Sequence, residues 1–295
     1  MPSAFNIDAK TLALCEDLDL LARTIVEGFF DGLHRSPFLG YSTEFSAYRQ
    51  YTQGDDLRRI DWKVWGRTDE FYVKQFEDDT NLRCQIFLDT SASMDFGSGE
   101  ANKFKYGRVL AAVLAQLMTR QHDAPGLILF SDQASQAVPP LAGRHHAEEI
   151  FIALSRAVAA GRTVLGQNLV PLLETLNRRG VAVVISDFFS PGETAFELLN
   201  QLAAQNQEVT VFHLLAPEEL ELPFEGEVLM QDSETGEELP VQADEFRREY
   251  QRRLNDFCSR LSNECVKLET DYCRMRTDAP LDEALLHYLD WRNGV

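Results

Sequence analysis

Short apolar runs alternate with helical patterns between residues 82 and 215, and this alternation constrains the fold more than any other feature of the sequence. Four apolar runs, at residues 83–88, 126–130, 181–185 and 209–215, have the length and composition of buried strands. Helical patterns lie between and after them, at residues 103–122, 145–160, 169–179 and 194–205. We therefore predict an α/β fold with a mostly parallel central sheet and helices on both faces.

Polar side chains follow these runs at the carboxyl ends of the predicted strands. Asp89, Ser91 and Ser93 follow the first run at alternate positions, Asp187 follows the third, and Thr163 precedes the helical pattern between the second and third runs. Right-handed crossovers bring such strand ends to one edge of a sheet, where α/β proteins bind their ligands. The same Asp-x-Ser-x-Ser pattern would also fit a simple turn that caps a helix.

The five side chains share one chemistry, because all of them offer oxygen atoms. Carboxylate and hydroxyl oxygens suit Mg²⁺, Mn²⁺ or Ca²⁺, and they do not suit Zn²⁺. Three separate loops would have to converge for all five to reach one ion. The sequence therefore predicts a divalent-cation site if the topology brings these loops together.

The composition excludes several classes of partner. The chain of 295 residues has 28 Lys and Arg against 47 Asp and Glu, a formal net charge of -19, so it repels phosphate backbones and anionic membranes. Its five cysteines form no C-x-x-C pair, which indicates reduced thiols rather than a disulfide framework. No secretion signal opens the sequence, and no run approaches the ~20 apolar residues of a membrane span. These features predict a cytoplasmic protein that binds no nucleic acid.

The segment before the first apolar run predicts an accessory region. Residues 8–30 carry apolar side chains at helical spacing, and residues 32–79 mix aromatic and basic residues with turn signals that indicate short strands. Basic residues among aromatics could form a nucleic-acid platform, but acids accompany the bases almost one for one. We therefore interpret Arg49, Arg58 and Arg59 as partners of neighbouring aspartates in a polar network.

The segment after the last apolar run begins with an acidic stretch at residues 218–245, which predicts a surface hairpin. Apolar residues at helical spacing then predict a long helix from residue 246. Residues 265–268 predict a last strand, and residues 281–291 predict a closing helix.

The pattern D-T-S-A-S from Asp89, the segment G-R-T ending at Thr163 and the S-D pair ending at Asp187 resemble the metal-ion-dependent adhesion site (MIDAS) of von Willebrand factor A domains. The resemblance implies a Rossmann-like fold and a bound Mg²⁺, with Mn²⁺ or Ca²⁺ as alternatives. It implies that Ser91, Ser93 and Thr163 ligate the ion and that the two aspartates act directly or through water. It also implies an open coordination position for an Asp or Glu of a partner protein.

A second pattern, R-x-Y-x-x-G-D-D-x-R-x-I-D-W starting at Arg49, resembles the bacterial domain-of-unknown-function family numbered fifty-eight. The resemblance implies association with MoxR-type AAA+ ATPases that act on client proteins. It also implies a division of the chain into residues 1–80, an N-terminal helix with a β-rich accessory segment, and residues 81–295, a von Willebrand factor A-like domain. Residues 217–243 would be a surface insertion in the second part.

We therefore predict a non-enzymatic adaptor whose divalent cation coordinates an acidic side chain of a partner, acting with a MoxR-type ATPase in the assembly or maturation of protein complexes. The alternative is a metal-dependent hydrolase or phosphotransferase at the same sheet edge. That enzyme would need a general base or nucleophile beside the ion, and Asp187 and Asp95 are the candidates.

Overall fold

The computed structural model describes residues 18–35, 48–50, 72–74, 82–131, 136–162, 179–189, 194–205, 207–233, 235–281, 285, 286 and 288. A six-stranded sheet forms the centre of the fold, and two further strand pairs lie outside it. In chain order the elements are α1 (Leu18–Arg35), β1 (Tyr48–Gln50), β2 (Tyr72–Lys74), β3 (Arg83–Asp89), α2 (Lys103–Arg120), β4 (Ala124–Phe130), β5 (Gln136–Val138), α3 (Arg144–Arg156), β6 (Val181–Ser186), α4 (Thr194–Ala204), β7 (Glu208–Leu215), α5 (Pro217–Glu221), β8 (Glu227–Gln231), β9 (Glu238–Gln242), α6 (Ala243–Lys267) and β10 (Asp271–Arg276).

The strand order in the central sheet is β10-β7-β6-β3-β4-β5. The pairs from β10 to β4 are parallel, and β5 pairs antiparallel with β4 at one edge. The chain moves from β3 to β4 on one side and later returns to β6 on the other side of β3. The carboxyl ends of β3 and β6 therefore flank the point where the strand order reverses, which is the usual ligand position in open α/β sheets.

Alternate residues of the buried strands supply the two faces of the sheet. Ile86, Leu88 and their neighbours pack with the apolar sides of α1, α2 and α3 in one core cluster. Phe87 and Val184 point the other way, into a cluster closed by α4 and α6. Since both faces are covered by helices, the strands read as nearly continuous apolar runs. The predicted α/β class, mostly parallel sheet and covered faces are confirmed.

All four predicted strands are present within a few residues of their expected bounds. The predicted strand at residues 265–268 is wrong, because α6 continues to Lys267 and the last strand is β10. Leu261 and Cys265 extend the buried helical face of α6, while Val266 is 73% exposed. The helical pattern at 145–160 ends early, at Arg156, where Ala157 adopts an extended backbone, and the Ala160 amide then donates to the Thr90 carbonyl.

The N-terminal region is partly described. α1 packs against α2 and α3 and contributes Leu21, Ile25 and Phe29 to the core cluster on the sheet's first face. β1 and β2 pair antiparallel, with Arg49 opposite Val73. Two predictions fall largely outside the described residues. These are the polar network from Arg49 to Trp62 and the helix at 169–179. The division of the chain at residue 80 stays a prediction.

The predicted surface hairpin is formed by β8 and β9, with Val228 opposite Val241. Leu229 and Leu239 are 61% and 60% exposed. No Lys, Arg or His occurs between residues 217 and 246, while acids are frequent there. The hairpin is therefore an exposed pair of strands with one sign of charge.

In the ranges that the structure describes, no helix is long and apolar enough to span a membrane.

Two glycines of the core offer a matched test of the packing. A Cβ at Gly126 would lie 2.8 Å from the Pro140 nitrogen and 2.9 Å from the Val138 oxygen, both backbone atoms. A Cβ at Gly107 would meet the ends of flexible side chains, with Leu88 Cδ1 at 3.1 Å. We expect Gly126→Ala to lower the free energy of unfolding by about 1–3 kcal/mol. Gly107→Ala should change it less, because alanine also favours the helix. Urea unfolding of both variants checks this order, and an equal loss would contradict it.

Candidate metal centre

Asp89 is the last residue of β3, and its buried carboxylate organises the loop that follows. Asp89 Oδ1 accepts a hydrogen bond from the Ser91 amide at 2.9 Å, which turns the chain sharply. The Thr90 amide donates to the Phe130 carbonyl at 2.9 Å and fixes this turn to the end of β4. A short 3₁₀ turn, Ala92–Met94, completes the loop.

The serine hydroxyls of this loop do not act as helix caps. Ser91 precedes the 3₁₀ turn, but its side chain makes no capping hydrogen bond. Instead, Ser91 Oγ lies 3.0 Å from Ser93 Oγ, and both residues are buried. The local turn is made by Asp89, so a simple capping function does not account for the two serines.

The end of β6 meets this loop across the reversal of the strand order. Ser186 Oγ donates to Asp89 Oδ2 at 2.6 Å. Asp187 Oδ1 accepts from Ser93 Oγ at 3.3 Å and from the Phe189 amide at 3.0 Å. Four of the five predicted residues, Asp89, Ser91, Ser93 and Asp187, are therefore connected through hydrogen bonds in one buried cluster. Ser186 was not among the predicted site residues, although it lies directly before Asp187.

The turn after Asp187 has an unusual backbone. Phe188 has a φ of 55°, which lies in the left-handed region, and its side chain is buried. Its amide donates to Ser186 Oγ at 2.8 Å, and its ring packs edge-on against His213 at a centroid distance of 5.7 Å. Such a conformation is costly for a bulky residue and persists when the surroundings fix it. Here the Phe188 and Phe189 amides donate to Ser186 Oγ and Asp187 Oδ1, and these hydrogen bonds fix the turn.

The fifth predicted residue, Thr163, lies outside the described residues, but the loop leading to it is attached to the cluster. The Ala92 amide donates to the Gly161 carbonyl at 2.9 Å. The Ala160 amide donates to the Thr90 carbonyl at 2.8 Å. Two backbone hydrogen bonds therefore hold residues 160 and 161 against the Asp89 loop.

A buried lysine that was not among the predicted site residues completes the cluster. Lys103 Nζ donates to Asp187 Oδ2 at 2.6 Å and to Glu219 Oε1 at 2.5 Å. The other Glu219 oxygen, Oε2, accepts from the Ala216 amide at 2.8 Å. The Lys103 ammonium also lies 4.9 Å from the ring centroid of Phe189. A lysine in the first turn of a helix opposes the helix dipole, and that mismatch is the signal in the sequence that could have identified it.

Burial and charge set the protonation of the cluster. Burial, with the nearby Asp187 carboxylate, raises the pKa of Asp89 to about 7, although hydrogen bonds from Ser186 and Ser91 oppose the rise. Burial disfavours the charged form of Lys103, but Asp187 and Glu219 outweigh this and raise its pKa. Burial lowers the pKa of His213 to about 4, so its ring adds no positive charge at neutral pH.

The residues present fit a hard divalent cation. With all groups ionised, three carboxylates share one ammonium group, so the cluster carries two negative charges in excess. A divalent cation would balance that excess, and the available donors are carboxylate and hydroxyl oxygens. The described residues contain no group of three or more His, Cys, Asp or Glu that could hold a metal. A cation here would therefore depend on the hydroxyls of Ser91 and Ser93.

Solved structures with a similar fold include proteins from several sources. BatB from Bacteroides thetaiotaomicron is 17% identical with a TM-score of 0.47, and the match covers 72% of this chain and 100% of BatB. The SpRpn10 VWA domain is 16% identical with a TM-score of 0.36, covering 45% of this chain and 75% of that domain. Both scores are below 0.5, and the fold assignment depends on the strand order and pairing described above.

Sequence comparison gives a closer relation. The uncharacterized protein Rv1480 of Mycobacterium tuberculosis is 32% identical over 232 residues, which covers 78% of this chain and 73% of that protein. The uncharacterized protein Mb1516 of Mycobacterium bovis matches to the same extent. The family model described as "Protein of unknown function DUF58" matches residues 47–257, a range that includes the candidate metal centre and the strands that form it. The chain therefore belongs to the DUF58 family.

Proposed function

We propose that the chain is a non-enzymatic, metal-dependent adaptor that holds Mg²⁺ at the carboxyl ends of β3 and β6 and uses the ion to bind an acidic side chain of a partner protein. Asp89, Ser91, Ser93 and Asp187 would hold the ion, with Thr163 as the fifth ligand. The ion would supply a positive centre with a coordination position open to a carboxylate. Mn²⁺ or Ca²⁺ would serve as alternatives.

One observation carries this proposal. Two serine hydroxyls and two carboxylates from different strands meet in a buried cluster, with Ser91 Oγ and Ser93 Oγ 3.0 Å apart and Ser93 Oγ 3.3 Å from Asp187. Neutral hydroxyls offset little of a cation's charge, so an ion held partly by them keeps a strong attraction for an external carboxylate. This donor set therefore favours ligand capture over purely structural metal binding.

The same contacts weigh against the alternative of a hydrolase or phosphotransferase. Asp187, one of its two candidate bases, is among the proposed ligands of the ion and pairs with the buried Lys103 at 2.6 Å, so it would hold the ion rather than receive a proton. Asp95, the other candidate, accepts from the Asn102 side chain at 2.9 Å. A general base needs an oxygen positioned to receive a proton from the reacting molecule.

The partner in this proposal is a MoxR-type AAA+ ATPase or one of its client proteins, as the family resemblance implies. We place the complex in the cytoplasm because the cysteine pattern indicates reduced thiols. The chain carries a net charge of -19, so an acidic side chain must approach against general repulsion. At physiological ionic strength, salt largely screens the repulsion between exposed charges that lie more than ~8 Å apart. Binding through the ion should therefore require Mg²⁺ and persist, or improve, at moderate salt.

Isothermal titration of the purified protein with Mg²⁺ tests the metal. We expect Ser93→Ala to weaken Mg²⁺ binding by roughly 10- to 100-fold, because it removes an oxygen from the cluster. Ser259→Ala, on the exposed side of α6, is the matched control and should bind as wild type does. Equal Mg²⁺ binding by Ser93→Ala, Ser91→Ala and wild type would exclude the metal site.

The partner is tested in a second step with a purified MoxR-type ATPase. We expect wild type and Ser259→Ala to retain the ATPase with Mg²⁺ and to release it with a chelator, whereas Ser93→Ala should not retain it under either condition. Steep loss of wild-type binding as salt rises would indicate a basic partner held by the acidic surface and would contradict capture through the ion.

A further inference from the structure

The hairpin of β8 and β9 is a well-formed element that lies outside the central sheet. Its turn is fixed by hydrogen bonds, because the Gly236 amide donates to the Asp232 carbonyl at 2.8 Å and the Thr235 amide donates to Asp232 Oδ1 at 2.8 Å. In the part of the chain that the structure describes, no third strand pairs with it. A sheet of two strands is only marginally stable in water, and a third strand or a packed helix usually supports it.

One face of the hairpin is apolar. Directly opposite residues of an antiparallel pair share a face, and so do alternate residues of one strand. Val228 lies opposite Val241, and Met230 lies opposite Leu239, so these four side chains lie together on one face. None of the four is buried, and none belongs to the core clusters of the described residues. This face therefore has the composition of a sheet face that packs in a core, but it lies open.

Hydrogen bonds at the two ends of the hairpin show which backbone groups point outward. The Asp232 amide donates to the Glu237 carbonyl at 2.9 Å, and the Ala243 amide donates to the Gly226 carbonyl at 2.8 Å. Hydrogen-bonded pairs of an antiparallel ladder alternate with pairs whose amides and carbonyls point away from the partner strand. The register then assigns the outward groups of β8 to Glu227, Leu229 and Gln231.

The free edges of the two strands differ. Pro240 lies opposite Leu229 at the centre of β9, and proline has no amide hydrogen to donate to an added strand. β8 contains no proline, so each of its three outward residues keeps its amide hydrogen. The edge of β8 is therefore the one that can accept a further strand along its whole length.

The surroundings of β8 determine which strand would fit. Glu225 and Glu227 are exposed, and no Lys, Arg or His occurs between residues 217 and 246. In an added antiparallel strand, a side chain opposite Glu227 would share the face of that carboxylate. Side chains opposite Val228 and Met230 would extend the apolar face. The complementary strand therefore alternates basic and apolar residues.

We propose that the free edge of β8 binds an extended, basic segment of another protein as a third, antiparallel strand, with Lys or Arg alternating with apolar residues. Strand addition of this kind gains affinity from backbone hydrogen bonds and specificity from alternate side chains. The surface uses no ion, so the inference goes beyond the proposed adaptor function and does not depend on it.

The test uses the full chain in a buffer with a chelator, so that the candidate metal centre does not take part. Fluorescence polarisation measures binding of a labelled peptide that alternates lysine and valine, and of an analogue with glutamate in place of lysine. We expect saturable binding of the lysine peptide and none of the glutamate peptide. Lack of saturable binding by the lysine peptide, or equal binding of both, would overturn the proposal.

Methylation of the peptide backbone separates strand addition from charge attraction. The lysines would lie opposite the outward residues of β8, so their amides would point toward that edge, whereas the valine amides would point away. N-methylation of the lysine amides should weaken binding roughly tenfold or more, because it removes the hydrogen bonds to β8. N-methylation of the valine amides leaves those bonds intact and should preserve binding. Equal affinities of the two methylated peptides would overturn strand addition.

Two proline variants locate the edge. Leu229→Pro removes an outward amide of β8 without removing a hydrogen bond to β9, and it should weaken peptide binding roughly tenfold or more. Gln242→Pro is the matched control on the free edge of β9, where the φ of -81° suits proline. It should bind the peptide as wild type does. An equal loss in both variants would overturn the assignment to β8.

Hydrogen exchange of the wild-type protein, resolved by NMR for each amide, does not depend on any variant folding well. Saturation with the lysine peptide should slow exchange at the amides of Glu227, Leu229 and Gln231 and leave those of Glu238 and Gln242 unchanged. Protection of the β9 amides instead would overturn the assignment to β8. Dimers of the free chain that Leu229→Pro dissociates would also overturn the proposal, because a second copy of the chain would then be the occupant.

Discussion

Asp89→Asn is expected to stabilise the metal-free protein at pH 8 and, in the same molecule, to abolish its stabilisation by Mg²⁺. Burial and the neighbouring Asp187 raise the pKa of Asp89 from 3.8 to about 7, so the folded state binds this proton more tightly than the unfolded state. The proton on Asp89 therefore stabilises the folded state. This stabilisation is fully present below pH 3.8 and is lost as the pH rises through about 7. Asparagine keeps the shape without the charge, and we expect a gain of roughly 2 kcal/mol or more at pH 8.

Thermal and urea unfolding at pH 4 and pH 8, with Mg²⁺ or a chelator, measure both effects. At pH 4 the advantage of Asp89→Asn should shrink, because the wild-type carboxyl is then mostly protonated. Asp256→Asn on the exposed side of α6 is the control and should track wild type at both pH values with Mg²⁺ or chelator. A metal-free Asp89→Asn variant less stable than wild type at pH 8 would mean that the carboxylate is already compensated without a cation.

Lys103→Met is expected to lower the free energy of unfolding by about 3–5 kcal/mol, because it leaves Asp187 and Glu219 buried without their ammonium partner. Lys105→Met, two residues along the same helix, removes an exposed lysine and should change stability little. Adding Glu219→Gln to Lys103→Met should recover part of the loss, because one buried carboxylate is then neutral.

Mg²⁺ separates the electrostatic function of Lys103 from simple packing. If the lysine offsets excess negative charge in the cluster, Mg²⁺ should raise the melting temperature of Lys103→Met by more than it raises that of wild type. Urea unfolding with and without Mg²⁺ measures the same difference in free energy. Equal Mg²⁺ responses, or a Lys103→Met variant as stable as wild type, would contradict the assignment of Lys103 as the counter-ion of Asp187.

The strand ends could be predicted because a buried strand has a clear pattern in the sequence. A continuous apolar run that stops at Asp89 or before Asp187 marks both the strand and the polar residue delivered at its end. The parallel arrangement then placed these ends at one edge without further information. The last strand was harder to predict from the sequence. Residues 265–268 continue the apolar spacing of α6, and a short apolar run fits a helix as well as a strand.

Lys103 and Glu219 were not predictable in the same way. A lysine in the first turn of a helix is an unusual choice, but the sequence does not show which residue is its buried partner, and the two residues lie 116 positions apart. Each sits in the first turn of a helix, but only the sheet order brings those turns together. Edge strand β5 was missed because three residues, two of them exposed, give no periodic pattern.

The acidic hairpin of β8 and β9 has a consequence for how copies of the chain meet one another. Each of its strands has one edge without a partner strand in the described sheet, and such edges readily pair with the same edge of another molecule. Glu227 and Glu238 lie at the ends of these strands, and no basic residue between positions 217 and 246 offsets them. Two hairpins approaching edge to edge would bring like charges together, so the same carboxylates that keep this surface hydrated also discourage fibril-like self-pairing at high concentration.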